Sequence, residues 1–230
     1  KNSDYKYSVY GMAPTDFSTL DKMLKLNIIQ KPKYIIYERV ERGVIPKIER
    51  FDNSFLTQLK YEYNNLWALG DTNVFLDKIF RGYINNFAKA KITKSRGTGT
   101  QSKVDEKLFF YDTKHLEPSD EWMHINIKSL ESYKKYCDSI GSKFLYLPMP
   151  NKETVYFDKI PVNTQPDYLF KVGKILNQNN ISYYPTIEFY NNFRKKDNRM
   201  LYQYDDSHWN ALACELISKE IIKTLKNDNR

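Results

Sequence analysis

The stretch from Lys6 to Glu38 restricts this chain to few folds. Lys6 to Tyr10 reads as a short strand that ends at Gly11. Pro14-Thr15-Asp16 has the chemistry of a helix start, with Thr15 or Asp16 as the cap. Phe17, Leu20, Met23 and Leu24 then recur at helical spacing, and Pro32 is expected to end the helix. Tyr34-Ile35-Ile36-Tyr37, within Lys33 to Glu38, is a compact apolar run of the kind that forms a buried strand. A strand, a helix and a strand in this order close as a right-handed crossover onto a parallel sheet. The expected fold class is therefore α/β, with helices layered on a mainly parallel sheet.

The rest of the chain keeps this alternation. Residues 52–92 are mostly helical in pattern and break at Gly70-Asp71. Residues 93–103 contain no apolar side chain and read as a basic, solvated loop. Together, residues 52–105 look like a helical insertion in a single domain that spans 1–230. Ile125, Leu130, Tyr133, Cys137 and Ile140 mark a helix stopped by Gly141, and Phe144 to Leu147 is the next strand. Tyr168 to Asn177 forms a further helix and Ile181 to Tyr184 a further short strand. The last helix is expected just after Asp206, with Trp209, Leu212, Ala213, Leu216, Ile217 and Ile221 on its apolar face.

Composition narrows the function classes. Hydrophobic residues make up 41% of the 230, so the chain can build a core and is not a disordered segment. Its 19 tyrosines suit a carbohydrate-facing surface, although an AT-rich coding sequence yields the same count. The net charge of +8 is scattered, with its densest group at Lys89, Lys91, Lys94, Arg96 and Lys103. That favours an anionic environment but gives no stripe for reading nucleic acid. Cys137 and Cys214 each fall in a helical pattern and are expected as small core residues, with no metal-binding cluster around them. No apolar run reaches 18 residues, so no membrane span is expected, and no signal peptide is visible.

Three histidines are present. His115 and His124 have no acid at a telling spacing and are expected to be structural or surface residues. His208 differs, because Asp206 stands two residues before it. A carboxylate at that spacing can hold one imidazole nitrogen, fix the tautomer and stabilise the imidazolium. The other nitrogen is then free to take a hydroxyl proton. Spacing alone leaves a second reading open, in which Asp206 or Ser207 caps the last helix and His208 is incidental. Trp209 would anchor the turn against the core in either case.

Tyr204-Asp205-Asp206-Ser207-His208-Trp209-Asn210 resembles the Asp-x-His-Trp signature of the SGNH-hydrolase-like polysaccharide O-acetyltransferases, the family typified by the alginate acetylation proteins. Tyr146 to Tyr156, with Pro150, Lys152 and Tyr156, resembles that family's strand ending in Pro-x-Lys-x-x-x-Tyr. Lys31 to Arg42 resembles its Lys-Pro-strand-Glu-x-x-Glu-Arg segment. The three cover the chain from about residue 8 to residue 222 apart from the middle.

The resemblance implies a three-layer, flavodoxin-like, SGNH-hydrolase-like fold and a Ser-His-Asp mechanism that uses no cofactor and no metal. It matches Asp206 and His208 to the acid and the base. It makes Gly11, Arg42, Lys152 and Trp209 candidates for binding the oxyanion or the substrate, while Arg42 has a structural alternative in pairing with Glu38 or Glu41. It implies acetyl transfer to a cell-wall or exported polysaccharide outside the cytoplasmic membrane. The expected partners are the polysaccharide acceptor and a membrane-bound acyltransferase, in a protein anchored to the membrane. The pattern departs at the nucleophile. No Gly-x-Ser turn occurs, and Gly11-Met12-Ala13 carries no hydroxyl. The serine strand is then expected just upstream of Lys1, with Ser8, Thr15 and Ser18 as fallback nucleophiles. A member that has lost catalysis and serves as a binding or docking module fits the same departure, and a carbohydrate acetyl esterase is a third reading.

Overall fold

A computed structural model of the chain describes residues 17–43, 45, 100, 102–105, 108–111, 113, 116 and 118–227. The expected strand at 6–10, Gly11, His115 and the helices of 52–92 lie outside the described residues. The described elements are α1 (Phe17–Lys25), β1 (Tyr34–Val40), α2 (Asp120–Ser139), β2 (Lys143–Met149), α3 (Lys152–Val155), a 3-10 turn at Phe157–Lys159, α4 (Tyr168–Gln178), α5 (Thr186–Arg194) and α6 (Ala211–Asn227). Strands and helices are mixed, and β1 pairs with β2 in parallel, from Tyr34 opposite Lys143 to Val40 opposite Met149. The coarse α/β expectation holds at this level.

Both strands follow from their sequences. β2 is an almost unbroken apolar run, and Phe144, Leu145, Tyr146, Leu147 and Met149 are all buried. β1 alternates, with Ile35 and Tyr37 inward and Ile36 and Glu38 exposed. Helices α2 and α5 pack on β2. The core centres on rings: Phe17 stacks on Tyr133 at 3.9 Å, and Tyr37 meets Tyr133 edge-on at 5.0 Å. The expected strand at 181–184 shrinks to one parallel bridge, Tyr183 to Tyr146, made through the Ser182 carbonyl and the Tyr184 amide.

Several boundaries differ from expectation. Helix α1 stops at Lys25, well before Pro32, because Asn27 adopts a left-handed φ of 54° and the Ile28 amide bonds back to the Met23 carbonyl at 2.9 Å. Helix α2 starts at Asp120 because the Ser119 hydroxyl caps the Trp122 amide at 3.2 Å. Its Ile125 is 41% exposed, so the buried stripe runs instead through Ile127, Leu130, Tyr133 and Cys137. Gly141 ends it as expected, at φ 69°, with the Ser142 amide on the Cys137 carbonyl. Cys137 is buried, whereas Cys214 is exposed, one residue past Ala213 on the apolar stripe of α6. Both thiols are free. At the end of the expected basic loop, Ser102 is buried and the Lys103 amide bonds to the Lys159 carbonyl.

Helix α6 begins at Ala211, and its cap is Asn210. The Asn210 side-chain oxygen accepts the Ala213 amide at 3.1 Å, and its amide nitrogen donates to the Met200 carbonyl at 2.6 Å. One side chain therefore starts the last helix and ties it to the segment before the Asp206 loop. Asn210→Ala removes the cap and leaves a carbonyl without its donor, a loss of about 2 kcal/mol. Urea denaturation checks this, and a change below about 0.5 kcal/mol contradicts the double role.

Candidate functional site

The C-terminal ends of β1 and β2 bring the three quoted segments together. Beyond β1, the Glu41 amide bonds to the Met149 carbonyl at 2.8 Å and the Gly43 amide to the Val40 carbonyl at 2.8 Å. Ile45 is then clamped to α2, its amide on Asn126 Oδ1 and its carbonyl on the Ser129 hydroxyl, each at 2.9 Å. These bonds fix residues 41–43 and Ile45 in place at the sheet edge. Consecutive side chains leave it in opposite directions: Glu41 is 2% exposed, and Arg42 is half-buried.

Arg42 donates to Asn151 Oδ1 at 2.7 Å, across 109 residues of sequence, and approaches the Ser207 hydroxyl at 3.5 Å. Its guanidinium lies over the Tyr111 ring at 5.2 Å. The expected pairing with Glu38 or Glu41 is not made. Glu38 is exposed, while Glu41 Oε2 accepts the Asn151 amide at 2.8 Å and the Thr154 hydroxyl at 2.6 Å. No carboxylate among the described residues lies within ion-pair distance of Arg42. Glu41 Oε1 is buried without a partner. Burial pushes the Glu41 carboxyl up to about 7, against the pull of its two donors and of Arg42. Burial likewise raises Glu153, whose Oε1 accepts the Tyr111 amide.

Lys152 opens α3 and is fully buried. Its ammonium donates to the carbonyls of Gln203 at 2.6 Å, Tyr204 at 3.1 Å and Asp206 at 2.9 Å. An ammonium has three protons, and here each meets a carbonyl. The Phe110 ring lies 5.3 Å from the same nitrogen.

Residues 203–208 form a closed loop. Tyr202 and Trp209 bridge antiparallel at its base, and the Gln203 amide bonds to the His208 carbonyl at 2.8 Å. The Tyr202 hydroxyl donates to the Pro150 carbonyl at 2.5 Å, which fastens the base to the end of β2. Trp209 packs partly against the core, as its anchoring role requires. Within the loop, one oxygen organises the turn. Asp206 Oδ1 accepts the Ser207 amide at 2.5 Å and the His208 amide at 3.2 Å, and lies 2.7 Å from His208 Nδ1. Desolvation lifts the Asp206 carboxyl, but the imidazole and the two amides outweigh it and hold the group below its ordinary value. An ionised carboxylate can only accept, so the facing Nδ1 carries the proton and Nε2 is left as the basic nitrogen.

This geometry excludes the helix-cap reading for Asp206 and Ser207, since Asn210 performs that role four residues beyond Asp206. The Asp206 and His208 side chains are 51% and 71% exposed, so the pair sits at the surface. No serine or threonine hydroxyl of the described residues bonds Nε2 of His208. Gly11 lies outside the described residues, as do Ser8 and Thr15, while Ser18 is half-buried on α1. His124 is exposed on α2. Among the described residues, no group of three His, Cys, Asp or Glu side chains could hold a metal ion, and no helix is long and apolar enough to cross a membrane.

Asn151, Ser207 and Tyr111 complete the site, although residue type points to Ser207 only as a possible helix cap and to neither of the others. Asn151 and Ser207 lie inside the quoted motifs, and that adjacency was the available signal. Tyr111 gave none. Comparison with protein-family models, with curated proteins and with solved structures returns no match to this chain.

Proposed function

We propose that this chain is an SGNH-hydrolase-like acyl-transfer domain that moves acetyl groups onto hydroxyls of a cell-wall or exported polysaccharide. One observation carries the reading: Arg42, Asn151-Lys152 and Asp206-Ser207-His208 meet at the C-terminal edge of a parallel strand pair. Ligands of open α/β sheets bind at that edge. In this reading a serine outside the described residues attacks the acetyl carbonyl, and His208 Nε2 takes its proton. The imidazolium, held by Asp206, returns that proton to the leaving group. A sugar hydroxyl then attacks the acetyl-serine and loses its proton to Nε2, which passes that proton to the departing serine oxygen, so that the ester forms on the sugar and both the serine and the neutral imidazole are restored. Arg42 has no carboxylate partner among the described residues, which suits it to the developing oxyanion. The same reading makes a membrane-bound acyltransferase the donor partner and puts the reaction outside the cytoplasmic membrane.

His208→Ala in the full chain is expected to reduce both acetyl transfer and hydrolysis of an acetyl ester at least about 100-fold. Unchanged turnover removes His208 from the chemistry. Comparing sugar and water as acceptors separates a transferase from an esterase. A second reading, a polysaccharide-binding or docking module without catalysis, is favoured by the exposure of His208 and by the lack of a hydroxyl on Nε2 among the described residues. It predicts that the wild-type chain binds glycan or the acyltransferase while neither His208→Ala nor the wild type turns over an ester.

A further inference from the structure

We propose that Lys152 is a positioning residue, a tethered cation whose buried ammonium holds the loop that carries the Asp206–His208 pair. The proposal rests on the preceding reading only in taking that pair as the functional one.

Three backbone carbonyls from one six-residue loop converge on a single point charge. Carbonyls that turn inward together repel one another, and a loop adopts that shape only around a cation or a set of donors. Lys152 supplies both from a rigid platform, because α3 begins directly after β2. The neighbouring bonds are arranged around this one. The Glu41 carboxyl anchors the Asn151 amide beside it, and the Tyr204 carbonyl also accepts the Phe109 amide at 3.0 Å. The Asp206 carbonyl is the third ligand, so the ammonium grips the backbone of the residue whose side chain orients His208.

The charge survives its burial at neutral pH. Desolvation lowers Lys152 to about 8, and Glu153, Asp206 and Asp205 oppose that fall. With its three protons used, Lys152 acts through the loop rather than on a substrate. Arginine is a poor replacement, because a planar fork does not direct three donors to one convergent set of carbonyls.

The test reads the His208 tautomer by long-range proton–nitrogen NMR, with His124 as the internal control. Wild type is expected to hold the Nδ1–H tautomer. Lys152→Met, similar in length and without charge, is expected to lower the Nδ1–H to Nε2–H ratio about fivefold, the effect of losing one modest hydrogen bond. An unchanged ratio in a folded Lys152→Met protein overturns the proposal. If that variant does not fold, Lys152→Ala is refolded with n-propylammonium or with n-propanol. Recovery of the wild-type tautomer with the amine alone supports the proposal. Equal recovery with the alcohol, or recovery with neither, overturns it. No step needs turnover, so an inactive protein with a Lys152-dependent tautomer fails the acyl-transfer reading alone. An active protein whose tautomer ignores Lys152 fails this proposal alone.

Discussion

Asp206→Asn is expected to lower acetyl-ester turnover on the order of 100-fold while leaving the loop folded. The asparagine oxygen can still accept the Ser207 and His208 amides that Asp206 Oδ1 holds at 2.5 and 3.2 Å, so the turn survives. The negative charge beside the imidazole does not. A neutral amide stabilises the imidazolium poorly, and rotation of the amide would present an N–H to Nδ1 and force the proton onto Nε2. In a buried triad the same exchange costs about 10⁴-fold. Here the carboxylate is 51% exposed, and water already screens part of the interaction. A factor of 100 corresponds to about 2.7 kcal/mol, within what a half-exposed charge pair at this distance can supply. Steady-state kcat/KM on an acetyl ester, together with unchanged urea unfolding, is the measurement. A loss below threefold in a folded variant would leave Asp206 as a turn-forming residue only.

The parts of this molecule that could be read in sequence are those whose physics is local or repetitive. The Phe144 to Leu147 run is buried on both faces, so it stands out as a strand without reference to anything else. The Asp206–His208 pair is equally local, two residues apart, and its geometry follows from the turn. Helix starts were less legible. The first turn of α2 mixes Asp120 and Glu121 with Trp122 and Met123, and its capping serine lies before any residue of the buried stripe. Asp206 and Ser207 have better capping chemistry by type than many caps, yet the bridge between Tyr202 and Trp209 commits them to a loop and passes the task to Asn210. Long-range side-chain choices left no trace at all. Nothing in the composition of Glu41-Arg42 says which one turns inward, and the carbonyls that receive Lys152 belong to residues of any type. The resemblance could mark positions 42 and 152 but not what each holds.

Glu41 offers the largest effect on stability. Its carboxyl rises from an ordinary value of 4.5 to about 7 in the folded chain, chiefly through burial. Between those two pH values the native state keeps the proton and the unfolded state gives it up. The native state therefore binds more protons, and stability falls as pH climbs from about 4.5 to about 7. The whole span is worth about 3 kcal/mol at 1.36 kcal/mol per unit. Glu41→Gln stays neutral throughout and keeps an oxygen for the Asn151 amide and the Thr154 hydroxyl. Its amino group replaces the buried, partnerless Oε1, a cost that does not vary with pH. Urea unfolding at pH 4.5 and pH 8 should show wild type losing about 3 kcal/mol more than the variant between the two. Parallel losses would mean that Glu41 is ionised in the fold or is reached by water. The same titration bears on the candidate site, because the other oxygen of this carboxyl accepts the Asn151 amide, and the Asn151 side chain holds Arg42. A carboxylate forming there would also attract the Arg42 guanidinium inward, away from Ser207. Glu41→Gln should therefore flatten the turnover of an acetyl ester between pH 6 and pH 8 relative to wild type, a change that loss of packing alone does not produce.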